Sequence, residues 1–535
     1  MAARFLATEV GSMSLDTALK RSALYNPALW SRDEVRTYYV ARPKLLARFI
    51  DDFRREKPGT RPQHRLILGQ RGMGKSTLLR RLAIAVDDDE ELAAAWIPLV
   101  FPEEQYNVGS LADFWLNCLD ALGDYLESHG RTAEMNAIDA EVERLDRKDG
   151  EGALQTLLRI AEKLGRRLIL LVDNIDLILD RLKDKDWALR EALQEYPRLM
   201  LIGASSRALE ASYDYGRAFY DFFRIDELRG LSEDEMREII VNLARRHGAE
   251  ALIRRVQEDV GRMRVLHTLT GGNPRLAVLV YGVLSKGFDS DVCADLESLL
   301  DEVTPQYKAR FDEMPAQAQL LLDKLAVHWN PMSARQLADA LGWSVNQASA
   351  QLDRLAQAGI VEKVKAGQGK RMAFQVAERF FNIWYLMRAG RRARRRLMRL
   401  VGFLHAYFSL DPGVVPDALR CAEPAPSQAA HIATADELMG EIRRLFAAQQ
   451  EQVAAAPAYL REIVAMLPSA VELQVGERVL AELDASGIGE SLQPVRAALV
   501  AAVAGNAELL NDVAPEIRLP AREILARMAP SLVVG

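Results

Sequence analysis

The chain has 535 residues, 49% hydrophobic, 27% charged, and a formal net charge of −6. That length exceeds what one core organises, so about three or four domains are expected, and the apolar content excludes wholesale disorder. The charge excludes a global attraction to nucleic acid, leaving any such contact to a local basic patch. In chain order, Met1 to Ser12 holds one early arginine and no long apolar core, which makes a poor signal peptide, and no run approaches the ~20 apolar residues of a membrane span. Cys118, Cys293 and Cys421 lie far apart without ligand spacing and read as reduced thiols of a cytoplasmic protein. Residues up to about Thr37 read as irregular, with a turn at Asn26-Pro27.

Tyr38-Tyr39-Val40-Ala41-Arg42-Pro43 leads into an amphipathic helix carrying Leu45, Leu46, Phe49, Ile50 and Phe53. Arg65 to Leu68 is a short apolar run that reads as a buried strand, and Leu78, Leu79, Leu82, Ala83 and Val86 recur at helical spacing. Between them stands Gly69-Gln70-Arg71-Gly72-Met73-Gly74-Lys75-Ser76-Thr77, which fits G-x-x-x-x-G-K-[ST]. Strand, loop and helix are in the order the motif requires, and the segment resembles the phosphate-binding loop of P-loop NTPases. Its glycines let backbone N–H groups and a helix N-terminus face phosphate oxygens. The resemblance implies ATP as ligand, with Lys75 on the β- and γ-phosphates and the Ser76 hydroxyl on Mg²⁺.

Asp87 to Glu91 is an acidic, solvated run. Trp96 to Phe101 reads as a second strand, placed at an edge or a strand start by Pro98. Helical periodicity follows over 111–126, 137–145 and 154–164. Leu168-Ile169-Leu170-Leu171-Val172-Asp173 has no apolar/polar alternation, which suits a central strand buried on both faces, with an acid at the ligand-binding end. It resembles a Walker B segment, with Asp173 on the metal directly or through water. The next residue is Asn174, where hydrolytic AAA+ proteins usually carry Glu. An amide cannot accept a proton as a carboxylate does, so Asp176 is the nearest candidate acid. Leu199 to Arg207 reads as the next core strand and resembles the sensor-1 strand, with Ser205 and Arg207 beside the γ-phosphate.

Tyr213 to Arg229 interleaves aromatics with Arg217 and Arg224. Core packing, base stacking and an arginine finger toward a neighbouring subunit are three open readings of this stretch. Leu231-Ser232-Glu233-Asp234-Glu235 starts a helix with a Ser cap and early acids. Leu269-Thr270-Gly271-Gly272-Asn273-Pro274-Arg275-Leu276 opens a helix after two glycines. It resembles the sensor-2 or G-x-P element of AAA+ and STAND lids, which implies Pro274 on the adenine and Arg275 near the phosphates.

From Ala316 the pattern is helix, capped helix at Ser333–Gly342, helix at 344–357, strand at Gly359-Ile360-Val361, basic glycine-rich hairpin at 365–371, strand at 372–376. That order makes a winged helix, whose third helix would present Asn346, Gln347, Ser349, Gln351 and Arg354 to a DNA groove. Winged helices also serve as protein-contact modules. Arg391, Arg392, Arg394, Arg395, Arg396 and Arg399 form a dense block, read either as phosphate contacts or as an exposed face and partners for acidic lid residues. Residues 411–427 read as a linker. Helical patches at 435–445, 459–467, 476–483, 493–503 and 516–528 then suggest a small array or bundle with a face for a protein partner.

Taken in order, the motifs from Tyr38 to Gly390 resemble origin-recognition-type AAA+ and STAND ATPases of the archaeal kind. The expected fold class is α/β: a P-loop NTPase parallel sheet with a helical lid, then a winged helix and an all-α C-terminal region. The expected divisions are 1–60, an N-terminal segment; 61–230, the ATPase core; 231–312, the lid; 313–390, the winged helix; and 391–535, the basic helix and α-helical region. The resemblance implies a nucleotide-controlled switch with slow ATP hydrolysis. The alternatives are an ATP-dependent regulator or loader on double-stranded DNA, in replication, transposition or defence, and a scaffold that binds nucleotide for stability only. A homo-oligomer is compatible with either of the first two.

Overall fold

The computed structural model describes residues 30–39, 41–101, 108–146, 148–182, 185–206, 219, 221–285, 292–366, 372–408, 434–450 and 457–533. It divides into two units, Met1–Leu231 with Asn273–Val278, and Ser232–Gly272 with Leu279–Gly535.

The first unit is built on a parallel sheet of β1 (Arg65–Leu68), β2 (Trp96–Val100), β3 (Arg167–Val172), β4 (Leu199–Ser205) and β5 (Arg224–Glu227), in the order β2-β3-β4-β1-β5. Side chains alternate across each strand, so both faces need cover. Leu66, Leu99, Leu168, Leu170 and Leu201 enter one core, packed with the helices Leu111–Ser128 and Gly150–Lys163. Ile67, Trp96, Ile169, Leu171 and Ile202 enter a second, with the helices Pro43–Arg55 and Lys75–Asp88. Pro98 sits on the edge strand, where its missing N–H disturbs no second neighbour. β4 lies between β1 and β3, with Leu68 opposite Ser205 and Val172 opposite Gly203. The C-terminal ends of β1, β4 and β3 therefore lie side by side.

At the other end, Arg65 is buried and paired. Its Nε and Nη2 donate to Asp226 at 2.8 and 3.0 Å, and it lies 3.9 Å over the Phe49 ring. The irregular N-terminal reading is corrected at Arg32–Tyr38, which is a helix. Ser31 and Glu34 form a reciprocal capping box, a signature present in the chain as S-x-x-E. Trp30 and Val35 pack on Ile84 of the helix after the loop. In the core Phe219 stacks on Phe223, and Phe222 meets both rings edge-to-face; Tyr213, Tyr215, Arg217 and Tyr220 lie outside the described residues.

Among the described residues, the second unit is helical apart from one antiparallel hairpin, β6 (Val361–Lys365) and β7 (Met372–Val376). Ser232 and Glu235 form a capping box on the helix Glu233–Arg246. Helices Ala316–His328, Ala334–Leu341 and Val345–Gln357 precede the hairpin, and Met332 bridges Phe374 of β7. Ser333 and Gln336 cap the second of these, which ends on left-handed Gly342. Helices Arg379–Arg388 and Arg391–Phe408 follow, then Ala435–Gln450, Pro457–Glu472, Gly476–Ala485, Gln493–Val503 and Pro515–Met528. No helix among the described residues is long and apolar enough to cross a membrane.

Candidate nucleotide site

The loop Gly69–Gly74 leaves β1 and enters the helix Lys75–Asp88. Gly72 and Gly74 both have φ of 81°, the left-handed region that a side chain strains, so the turn needs glycine at these two positions. Gly69 N–H donates to Ser205 O at 3.1 Å, which ties the loop's start to the end of β4.

Each loop carbonyl is held by a donor. Lys75 is buried, and its Nζ donates to Gly69 O at 2.7 Å and Gln70 O at 3.1 Å. Asn273 Nδ2 donates to Arg71 O at 3.0 Å, and Arg275 N–H to Gly72 O at 3.3 Å. Arg42 Nη1 donates to Met73 O at 2.8 Å, while its Nη2 reaches Arg229 O at 2.6 Å. Among the described residues, the N–H groups of Arg71, Gly72 and Gly74 donate to no protein acceptor. Carbonyls tied away and N–H groups left open make a nest for an anion.

Ser76 Oγ donates to Asp173 Oδ2, and Asp173 Oδ1 accepts from Asn174 N–H at 2.9 Å. Asp173 is buried at the end of β3. Asn174 takes a left-handed φ of 48° and starts the helix Ile175–Arg181. Asp176 lies in that helix's first turn, buried. A hydroxyl and a carboxylate in direct contact form a hard-oxygen pair that fits Mg²⁺ together with phosphate oxygens and water. No group of three or more His, Cys, Asp or Glu among the described residues is placed to hold a metal ion.

The sequence-derived residues thus separate. Gly69, Gln70, Arg71, Gly72, Met73, Gly74, Lys75, Ser76 and Thr77 form the loop and first helical turn, in contact with Asp173 and Ser205. Pro274 opens the helix Pro274–Leu284. Arg275 approaches through its backbone; its side chain is exposed. Arg207 lies outside the described residues. Gln351, expected to face a groove, is instead buried beside Arg354, at 3.4 Å. Two loop-holding residues were not singled out from sequence for this role, Arg42 and Asn273. The signal for Arg42 is its place just before the proline that opens the helix Pro43–Arg55. For Asn273 it is an amide just before a proline at a helix start, which marks a cap and says nothing of the loop 202 positions away.

Residues 40–202 match the family model described as AAA ATPase domain. No curated protein matches the chain. Among solved structures, the Walker-type ATPase of Pyrococcus abyssi is 15% identical, covering 68% of this chain and 99% of its own, with a TM-score of 0.48. The Orc1 protein of Aeropyrum pernix, solved in complex with DNA, is 14% identical over 70% of this chain and 97% of its own, with a TM-score of 0.38. The RuvB Holliday junction branch migration motor of Thermotoga maritima is 17% identical over 64% and 94%, with a TM-score of 0.30.

Proposed function

We propose that this protein is a nucleotide-controlled switch that binds ATP with Mg²⁺ and hydrolyses it slowly, since residues 40–202 match the family model described as AAA ATPase domain and carry a P-loop. The observation that carries the reading is the loop whose carbonyls are each held by a donor and whose N–H groups at Arg71, Gly72 and Gly74 stay open. The triphosphate's β-phosphate would sit in that nest, with Lys75 moving from the loop carbonyls to phosphate oxygens. Mg²⁺ would be held by Ser76 and Asp173 and would neutralise charge on the β- and γ-phosphates. Asn174 holds the position next to Asp173 with an amide that accepts no proton, so Asp176 is the acid left to orient water. Ser205, Arg207 and Arg275 are the residues proposed to respond to the γ-phosphate, and Pro274 the one proposed to pack on adenine. A ligand shifts a two-state equilibrium only through contacts that differ between the states, and the γ-phosphate is the group that differs between ATP and ADP.

Calorimetric titration tests this. Lys75→Ala is expected to abolish ATP binding, and retained affinity would overturn the proposal. Asp173→Asn is expected to keep nucleotide binding and to flatten its Mg²⁺ dependence.

A second reading adds double-stranded DNA as a partner. The helices and hairpin over 316–376 have the order of a winged helix, and among the described residues Arg391, Arg392 and Arg395 are exposed with no ion-pair or hydrogen-bond partner. The helix Val345–Gln357 carries one anion, Asp353, and one cation, Arg354, so it brings little net charge of its own. Affinity would therefore rest on the three arginines.

A further inference from the structure

The peptide group is a rigid plane in which C=O and the next N–H point in opposite directions. Tying a loop carbonyl outward therefore aims the following N–H inward. In this loop Asn273 holds the carbonyl of Arg71 and so directs the N–H of Gly72; Arg42 holds the carbonyl of Met73 and directs the N–H of Gly74. Glycine at 72 and 74 would otherwise let those planes turn freely.

Asn273 does a second job with the same amide. Its Oδ1 accepts from Arg275 N–H at 3.0 Å and from Leu276 N–H at 3.4 Å, which caps the helix Pro274–Leu284. The side chain is 5% exposed, and a Cβ on Gly72 would come within 2.7 Å of its Oδ1, so the fit leaves no slack. The donor and acceptor ends of a planar amide move together.

We propose that Asn273 is a positioning residue that aims the Gly72 N–H at a bound phosphate and couples the filling of the loop to the first turn of the helix Pro274–Leu284. This rests on the reading of the loop as a nucleotide site. An anion gripped by Gly72 N–H fixes the Arg71–Gly72 peptide plane, which holds Asn273 Nδ2, which in turn fixes the helix cap. Arg42 does the first half of this for Gly74 and has no part in the cap.

Asn273→Asp separates the two ends. A carboxylate still accepts from Arg275 and Leu276 but cannot donate to Arg71 O. Asn273→Ser also keeps a cap acceptor and removes the amide donor, and it decides the question should the aspartate variant not fold. Full-length wild type, Lys75→Ala and both variants are titrated with ADP and ATP, and amide hydrogen exchange is followed with each site saturated. The expected result is a melting temperature near wild type, about tenfold weaker ADP and ATP binding, and loss of the ATP-induced slowing of exchange over residues 275–284, even at saturation. A wild type that binds no ATP would overturn the nucleotide reading and this proposal with it. A wild type that binds, with variants of equal affinity and equal slowing, would overturn the Asn273 coupling alone.

Discussion

His64 shows how one buried residue sets a pH limit on the sheet. Leu201 N–H donates to its Nδ1 at 3.0 Å, so Nδ1 carries the lone pair and the Nε2–H faces Leu193 O at 3.2 Å. The ring stacks on Phe222 at 4.7 Å. The neutral form satisfies both nitrogens, and a second proton would displace the bond from Leu201. Burial lowers its pKa from 6.5 to about 4. Above pH 6.5 the ring is neutral in folded and unfolded chains alike, and no free energy depends on it. Below that, the unfolded chain takes a proton that the folded one refuses, so stability falls with pH until about pH 4, by about 1.4 kcal/mol per unit. The β4 amides are expected to lose about 2 kcal/mol of protection between pH 7 and pH 5, measured by hydrogen exchange with correction for intrinsic rates. His64→Gln removes the titrating group, and its slope over that range is expected to be shallower by that amount. An identical slope would contradict the assignment.

At the scale of elements, the helix Pro515–Met528 is joined to the hairpin-bearing segment by one buried carboxylate. Glu516 is 1% exposed and accepts from Arg379 Nε at 2.8 Å, Arg379 Nη2 at 3.0 Å and Trp329 Nε1 at 3.2 Å. Asn330 Oδ1 accepts Ala514 N–H at 2.9 Å beside it. Glu516→Ala leaves the Arg379 guanidinium buried with Asn382 Oδ1 as its remaining acceptor among the described residues, at 3.1 Å, and is expected to cost about 3–5 kcal/mol. Denaturant unfolding of the second unit would measure it, and pairing Glu516→Leu with Arg379→Met should recover most of the loss, because no charge is then stranded. Glu516 lies 137 residues from Arg379 and 187 from Trp329, and such separation along the chain is the general limit on what could be read from sequence. An unbroken apolar run located β3, and helical periodicity located the five tail helices, because each signal is complete within a few residues. The loop at Gly69–Thr77 was legible because its glycines, lysine and hydroxyls are contiguous. The Arg32–Tyr38 helix was missed although Ser31 and Glu34 announced it, since seven residues carry too little periodicity to stand out. The hold of Asn273 on Arg71 and of Arg42 on Met73 depends on tertiary approach, and no local pattern encodes it.

Charge at the scale of the whole molecule separates a surface patch from structural pairs that look identical in sequence. The chain is net −6, so long-range attraction to a polyanion is absent and binding must be local. Six arginines crowd into 391–399, yet the structure uses three internally. Arg394 pairs with Glu297 at 2.7 Å, Arg399 with Glu490 at 2.9 Å, and Arg396 lies half-buried 5.1 Å from the Trp329 ring centre, where burial lowers its pKa. Arg391, Arg392 and Arg395 face solvent in the first turns of their helix, where the positive end of the helix dipole disfavours cations and favours an anion laid across them. If duplex DNA binds here, each phosphate neutralised adds about 0.9 to the slope of log affinity against log salt. Neutralising Arg391, Arg392 and Arg395 together is therefore expected to reduce that slope by about 3 and leave the melting temperature unchanged. Neutralising Arg394, Arg396 and Arg399 is expected to lower the melting temperature through lost pairing, with the salt slope kept. Titrations of a fluorescent duplex across a salt series, run beside thermal melts, distinguish the two triplets. Equal slopes for wild type and the first triplet would remove DNA as the partner of this helix and leave its exposed face to an acidic protein surface.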